Sequence, residues 1–314
     1  LPLVDYADRN ENYSLVSGFL QDDISIIDNT FSLIVGTKLE HNDFTGVEVQ
    51  PSARVLYTPS EKQTFWASYS RAVRTPSRAG DSLRAVSAVT PLPGDRTAVI
   101  RLLGHPDFES ENLNAYELGY RGEIASWLSL DLAGFYFDYD DLQTLGRGMP
   151  FADTSVTPPV FTIPVVFDNL QEANSYGGEL LLEILPVDWW RLQLSYAYLK
   201  IDYDAVSNSL IPESRIEEGN SRNRVGFKSM FELGRGFEFD SFLRFVDSLS
   251  DVGARSYMEL DLRFGYRHSK SLEFAIIGTN LLHDEHEEFI EGILSPTGTE
   301  LQRGVFGKAT FTFE

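Results

Sequence analysis

Alternation with a period of two runs through this chain. Over 258–267, Met258, Leu260, Leu262, Phe264 and Tyr266 fall on one side, and Glu259, Asp261, Arg263, Gly265 and Arg267 on the other. Trp190, Leu192, Leu194, Tyr196 and Tyr198 oppose Arg191, Gln193, Ser195 and Ala197; Leu128, Leu130 and Leu132 oppose Ser129, Asp131 and Ala133. Successive side chains of a strand point to opposite faces, so each stretch predicts a strand with one apolar and one polar face. The pattern predicts thirteen strands, near 14–24, 30–41, 47–58, 63–73, 113–124, 127–142, 174–185, 190–203, 222–232, 236–246, 256–267, 271–281 and 303–313. Many run to ten residues or more, where a soluble sheet uses about five or six and a tilted strand needs about nine to eleven to cross a bilayer. No helical periodicity competes with it.

The connections alternate in length. One set is tight, near 27–29, 59–62, 125–126, 186–189, 233–235 and 268–270. The other contains a short link at 42–46 and long ones at 74–112, 143–173, 204–221, 247–255 and 282–302. Antiparallel strands send alternate connections to opposite ends of a sheet, so tight turns gather at one end and long loops at the other. Outer-membrane barrels have this asymmetry, with short periplasmic turns and long extracellular loops. The expected fold class is therefore all-β, an antiparallel transmembrane β-barrel. Tyr57, Trp127, Trp189, Trp190 and Tyr266 flank the tight-turn end, where an interfacial aromatic girdle would lie. Bacterial single-chain barrels have an even number of strands, and thirteen strands ending in the periplasm would begin outside. Either 1–12 holds a fourteenth strand or residues 1–314 are the C-terminal portion of one larger barrel domain; the short, charged and poorly alternating 1–12 favours the second.

Composition narrows function mainly by exclusion. Among 314 residues, 47 acids against 26 bases give a formal charge of −21, the wrong sign for a nucleic-acid binder. With no cysteine, disulfides, zinc–thiolate sites, iron–sulfur clusters and thiol nucleophiles are excluded. No apolar run reaches the length of about 18 residues that a transmembrane helix needs. Gly-x-Ser-x-Gly and glycine-rich phosphate loops are absent, and no histidine lies in mid-strand. The expectation is a protein that is not an enzyme and holds no cofactor.

Six segments then carry a resemblance. Residues 65–77 (FWASYSRAVRTPS), 49–57 (VQPSARVLY), 116–122 (YELGYRG), 175–183 (SYGGELLLE), 279–289 (TNLLHDEHEEF) and 304–313 (GVFGKATFTF), in this order and spacing, resemble the C-terminal barrel of TonB-dependent outer-membrane receptors. One departure is the end, where Glu314 follows Phe313 although such barrels usually finish on an aromatic. The resemblance implies a bacterial outer-membrane location and a barrel of about twenty-two strands around a plug. About thirteen of those strands would be present here, with the plug absent. It further implies active import of a scarce nutrient, most simply a ferric siderophore or similar iron complex. The implied partners are the TonB energising protein, acting through the missing N-terminal part, the barrel-assembly machinery and lipopolysaccharide. Two other readings stay open at this point: a passive porin of about fourteen strands, and a soluble all-β binding module.

Candidate site residues are few. Within 71–101, Arg71, Arg74, Arg78, Arg84, Arg96 and Arg101 face only Asp81 and Asp95, a net +4. Arg74, Arg78, Arg84, Arg96 and Arg101 are the candidate ligand-binding residues, because guanidinium groups suit the carboxylate and phosphate oxygens of an anionic ligand. The alternatives are contact with lipopolysaccharide phosphates, or plain pairing of these arginines with acids. The run His283–Glu288 has the residue types of a metal site. It lies at a strand's end, where no helix sets its two histidines on one face, so a solvated acidic loop is expected. Divalent-cation binding through His283 and His286 is the lesser alternative. Glu117, Glu123, Asp131, Glu179, Glu183, Glu259 and Asp261 share the polar face with Arg121, Arg191, Arg224, Lys228, Arg244 and Arg263, which predicts a charged, watery lumen rather than paired catalytic carboxylates.

Overall fold

Strand after strand, the alternating stretches pair with their chain neighbours in a computed structural model that describes residues 4–7, 12–94, 96–154, 157–205, 209–210, 217, 219–250, 253–289 and 299–313. In chain order the elements are β1 (Val4–Tyr6), β2 (Leu15–Ile27), β3 (Phe31–Asn42), β4 (Gly46–Ser60), β5 (Gln63–Arg74), α1 (Arg78–Ser82), β6 (Leu83–Leu92), β7 (Arg96–Leu103), β8 (Glu111–Ala125), β9 (Leu128–Arg147), β10 (Phe151–Asp153), β11 (Val160–Val187), β12 (Trp190–Ala205), β13 (Asn223–Gly234), β14 (Phe237–Val246), β15 (Tyr257–Arg267), β16 (Leu272–Thr279), β17 (Glu285–Phe289), β18 (Thr299–Gln302) and β19 (Gly304–Phe311). Seventeen of the strands join one sheet, and β17 and β18 form a separate hairpin.

Thirteen strands make an antiparallel wall in the order β2, β3, β4, β5, β8, β9, β11, β12, β13, β14, β15, β16, β19. These are the thirteen strands that alternation predicts. The registers keep faces together: Phe65 lies opposite Tyr57 and Tyr120, and Phe239 opposite Phe231 and Phe264. β2 is in register with β3 and β19 with β16, and the sheet order sets β19 beside β2. The apolar face is bare, with Phe19 84%, Leu118 64% and Ile276 63% exposed. So much contiguous apolar surface exceeds what water tolerates on a soluble protein. At the tight end, rings of Tyr57, Phe65 and Tyr120 pack in sequence, as do Trp190, Phe231 and Phe239. A second row, which the sequence reading did not single out, joins Tyr69, Tyr116 and Tyr136 nearer the other end. The tight turns use left-handed backbone where required: Gly234, Arg235 and Gly236 all have positive φ, a conformation glycine adopts without steric cost.

The long connections differ from the expectation of plain loops. The link 74–112 folds into α1 and the hairpin β6–β7, and β9 and β11 extend to Arg147 and back to Val160. Where β12 ends, with Ala205 opposite Gln171, the freed edge of β11 is taken by β7, which pairs with it in parallel from Phe161–Ala98 to Val166–Leu103. β1 joins the far side of β6 through Val4–Ala85 and Tyr6–Leu83, so the described part of 1–12 belongs to this upper assembly and is no fourteenth wall strand. We call the assembly of β1, α1, β6, β7, β10 and the upper part of β11 the crown. The most buried side chains cluster here and along the long-loop end, and they are unusually polar: Gln171, Thr144, Thr162, Asn42 and Glu259 are the largest with almost no exposure.

Candidate functional site

The crown is fixed by local chemistry. Ser77 caps α1, its Oγ accepting from the Gly80 nitrogen at 3.3 Å, as a hydroxyl at this position does. The chain then returns against the helix: Gly104 N donates to the Leu83 carbonyl and His105 N to that of Gly80, both at 2.7 Å. Gly104 permits this approach, since a Cβ there would collide with the backbone of Asp81 and Ser82. Phe108, 6% exposed, packs against Gly80 and meets Phe167 edge-on. Asn169 ties the crown to the wall, accepting from Glu109 N at 2.8 Å and donating to the Asp141 carbonyl at 2.6 Å.

On this frame the candidate arginines divide. Arg74 ends β5 on Glu111 and reaches Gln143 at 3.3 Å. Arg78 lies over the Tyr6 ring, 4.4 Å from its centroid. Arg101 forms a largely buried ion pair with Asp153 at 2.9 Å. Arg84 and Arg96 are exposed; Arg84 stands opposite Asp5 and Leu103, and Arg96 donates to the Pro93 carbonyl at 3.1 Å. The fold thus gathers Arg78, Arg84 and Arg101 around β1, β6 and β7. Arg96 sits at the hairpin tip and Arg74 on the wall. Arg71, on the polar-capped upper end of β5, is held by Asn112 and the Val49 carbonyl.

The polar face of the wall carries the charge pairs foreseen for a watery lumen. Arg263 bridges Glu238 at 3.0 Å, Asp240 at 2.8 Å and Glu273. Arg121 pairs with Asp131, Lys62 with Glu123, and Gln193 donates to Glu183.

The segment 279–288 keeps His283, Asp284, Glu285 and Glu287 exposed, as a solvated loop would, but anchors His286 against the wall. Asn280, at φ 54°, turns the chain inward onto the polar face of β14 and β15. Its nitrogen donates to Asp261 at 2.9 Å, its side-chain oxygen accepts from Arg244 at 2.6 Å, and its amide donates to the Gln302 carbonyl at 3.3 Å. Beyond this pivot His283 Nδ1 comes to 2.6 Å and His286 Nδ1 to 3.4 Å from one oxygen of Glu259, a carboxylate with no exposed surface. His286 stacks on Tyr257 and meets Glu288 at 3.1 Å through Nε2. The sequence reading placed Glu259 among the ordinary lumen acids. Its burial depends on residues more than twenty positions downstream, a dependence that period-two alternation does not encode. Among the described residues, no group of three or more His, Cys, Asp or Glu side chains is arranged to hold a metal ion. Above the histidines lies a cavity of about 850 Å³, lined by Phe245, Arg255, Tyr257, Glu285 and Glu300 among others. Glu300, on β18, titrates above the ordinary carboxylate range because Glu285 shares a hydrogen bond with it and repels its charge.

Residues 2–281 match the family model described as TonB dependent receptor-like, beta-barrel. The chain is 24% identical over 182 residues to an iron-regulated outer membrane virulence protein of Vibrio cholerae, covering 58% of this chain and 26% of that one. Among solved structures, a ferric enterobactin receptor of Pseudomonas aeruginosa superposes with a TM-score of 0.75 at 18% identity, covering 96% of this chain and 45% of the other. A siderophore receptor of Acinetobacter baumannii gives 0.74 at 13% identity, with 96% and 46% coverage. At such identity the superpositions speak for the fold alone, and the chain spans about a quarter of the curated relative and under half of the solved receptors.

Proposed function

This chain belongs to the TonB-dependent receptor β-barrel family of outer-membrane transport receptors, which are not enzymes, and from that premise we propose that it is part of a receptor that captures a ferric siderophore or similar iron complex at its crown. Import would draw on the TonB system through parts of the receptor beyond this wall. The observation that carries the reading is the crown itself. It is an ordered platform of buried packing that presents Arg84 and Arg96 exposed, in no ion pair among the described residues, above a wall whose polar face can pass a hydrophilic cargo. The iron-regulated relative and the ferric-chelate receptors among the solved neighbours support iron as the cargo. The chain's coverage of under half of the solved receptors supports further strands in the same barrel, with residues 1–314 forming one part of a single barrel domain.

Arginine capture of an anion is electrostatic, so salt tests it. In the intact receptor on cells, charge reversal at both Arg84 and Arg96 should slow capture of an anionic ferric catecholate roughly tenfold at low salt. The difference should close at high salt, and capture of an uncharged ferric hydroxamate should not change. Equal capture of the catecholate at every ionic strength would remove the crown arginines from the reading.

A further inference from the structure

We propose that the lipid-facing side of β15, β16 and β19 holds one anionic phospholipid of the periplasmic leaflet. Its acyl chain lies in a groove over Gly307 and Ala309, and its phosphate meets the cationic turns below. This goes beyond ligand capture and rests only on the wall being a membrane wall, whichever nutrient the receptor carries.

Register builds the groove. Phe264, Ile276 and Gly307 form one cross-strand row, and Tyr266, Phe274 and Ala309 form the next, nearer the tight turns. In each row, large side chains on β15 and β16 meet a residue with little or no side chain on β19. A trough of about 490 Å³ is left between them, lined by these six residues among others. It is open: nothing lies within 4 Å of the place a Cβ would take on Gly307. Ile276 beside it is among the most exposed apolar residues of the outer face. On that face the surroundings are hydrocarbon, so the occupant that fits a narrow apolar channel is an acyl chain.

Below the trough the chemistry changes. Over 233–237 and 266–272 the chain holds Arg235, Arg267, His268 and Lys270 and no acid, whereas the other tight turns carry Asp28, Glu61 beside Lys62, and Asp188. The two cationic turns are neighbours, the Arg267 nitrogen donating to the Gly236 carbonyl at 2.7 Å. Arg267 is committed to Glu238. Arg235 and Lys270 are exposed and in no ion pair among the described residues. The His268 ring, 6.1 Å from that of Tyr266, ties these turns to the foot of the trough. In a chain of net charge −21, positive charge is thus concentrated directly beneath an apolar channel. Tight turns of such a barrel face the periplasm, where headgroup phosphates border the hydrocarbon. Arginine and lysine suit phosphate oxygens, and surface cations favour an anionic headgroup over a zwitterionic one. Channel and cations therefore match the two ends of one molecule.

The test uses the intact receptor in nanodiscs of equal phosphatidylglycerol and phosphatidylcholine, with lipid retained after release counted by native mass spectrometry. The wild type should keep one phosphatidylglycerol with a preference of about fivefold, the order of one surface cation's attraction. Arg235→Asn/Lys270→Gln should bring that preference close to one. Asparagine suits the first position, where φ is 53°, because it tolerates left-handed backbone. Gly307→Leu extends into open space, so the barrel should still assemble while retention of either lipid falls severalfold. Equal retention of the two lipids by the wild type would overturn the proposal. A preference that survives the charge variant would do the same, assigning it to general contact around the barrel. Retention that ignores Gly307→Leu would remove the trough as the site.

Discussion

In the wall, Phe19, Leu118 and Ile276 stand 84%, 64% and 63% exposed; in the crown, Val99, Phe108 and Thr162 stand 2%, 6% and 0% exposed. The two regions belong to one sheet and share β11, yet they satisfy opposite demands. A wall strand in lipid must close its backbone hydrogen bonds on its neighbours and can leave its apolar side chains facing outward, because the solvent there is hydrocarbon. The crown lies beyond the bilayer and must bury apolar and polar groups against each other, as a water-soluble domain does. A change that damages one region through its side chains should therefore leave the other largely intact.

The largest effect is expected on the apolar face. Leu118→Arg in mid-β8 should cost about 2–4 kcal/mol of barrel stability, the range for a cation near the bilayer midplane. Its chain neighbour Glu117, on the polar face and accepting from Ser68 Oγ at 3.2 Å, should tolerate Glu117→Gln within about 1 kcal/mol. Denaturant unfolding in lipid vesicles measures both. Similar costs for the two would mean that the faces do not see different solvents.

A smaller and more local effect is expected in the crown. Gly104→Ala places a methyl group against the backbone of Asp81 and Ser82, and overpacking of this kind costs about 1–3 kcal/mol. Limited proteolysis should then cut within 78–110 while the wall remains as resistant as before. Cleavage spreading into β8 or β9 would show that the wall depends on the crown.

The same contrast explains what could be read from the residues. All thirteen wall strands were legible because a membrane wall enforces alternation for ten or more residues at a time, as in Met258, Leu260, Leu262, Phe264 and Tyr266 against their charged neighbours. The crown was not. Its strands 83–92 (LRAVSAVTPL) and 96–103 (RTAVIRLL) are mixed on both faces, and β7 finds its partner β11 about sixty residues away through a parallel pairing that no turn announces. Three of the candidate arginines illustrate the limit. Composition could count Arg74, Arg78 and Arg101 in a basic stretch, but Glu111, the Tyr6 ring and Asp153 are brought to them by tertiary structure. Glu259 is the converse case: alternation placed it on the correct face, and only the inward turn at Asn280 buries it.

The smallest effect belongs to the β17–β18 hairpin, which is neither wall nor crown. The folded β17–β18 hairpin holds a proton on Glu300 more tightly than an unfolded chain would, because Glu285 shares a hydrogen bond with it and repels its charge. A carboxyl group raised in the fold stabilises the fold most below its ordinary value, and that contribution is lost as pH rises through the raised one. Hydrogen-exchange protection in 285–289 and 299–302, corrected for the intrinsic pH dependence of exchange, should therefore decline as pH climbs through the acid range. Glu300→Gln, which keeps a donor facing Glu285 and cannot ionise, should level that decline without touching protection in β14 and β15. A decline that persists in Glu300→Gln across the acid range would move its origin from the hairpin to the wall beneath it.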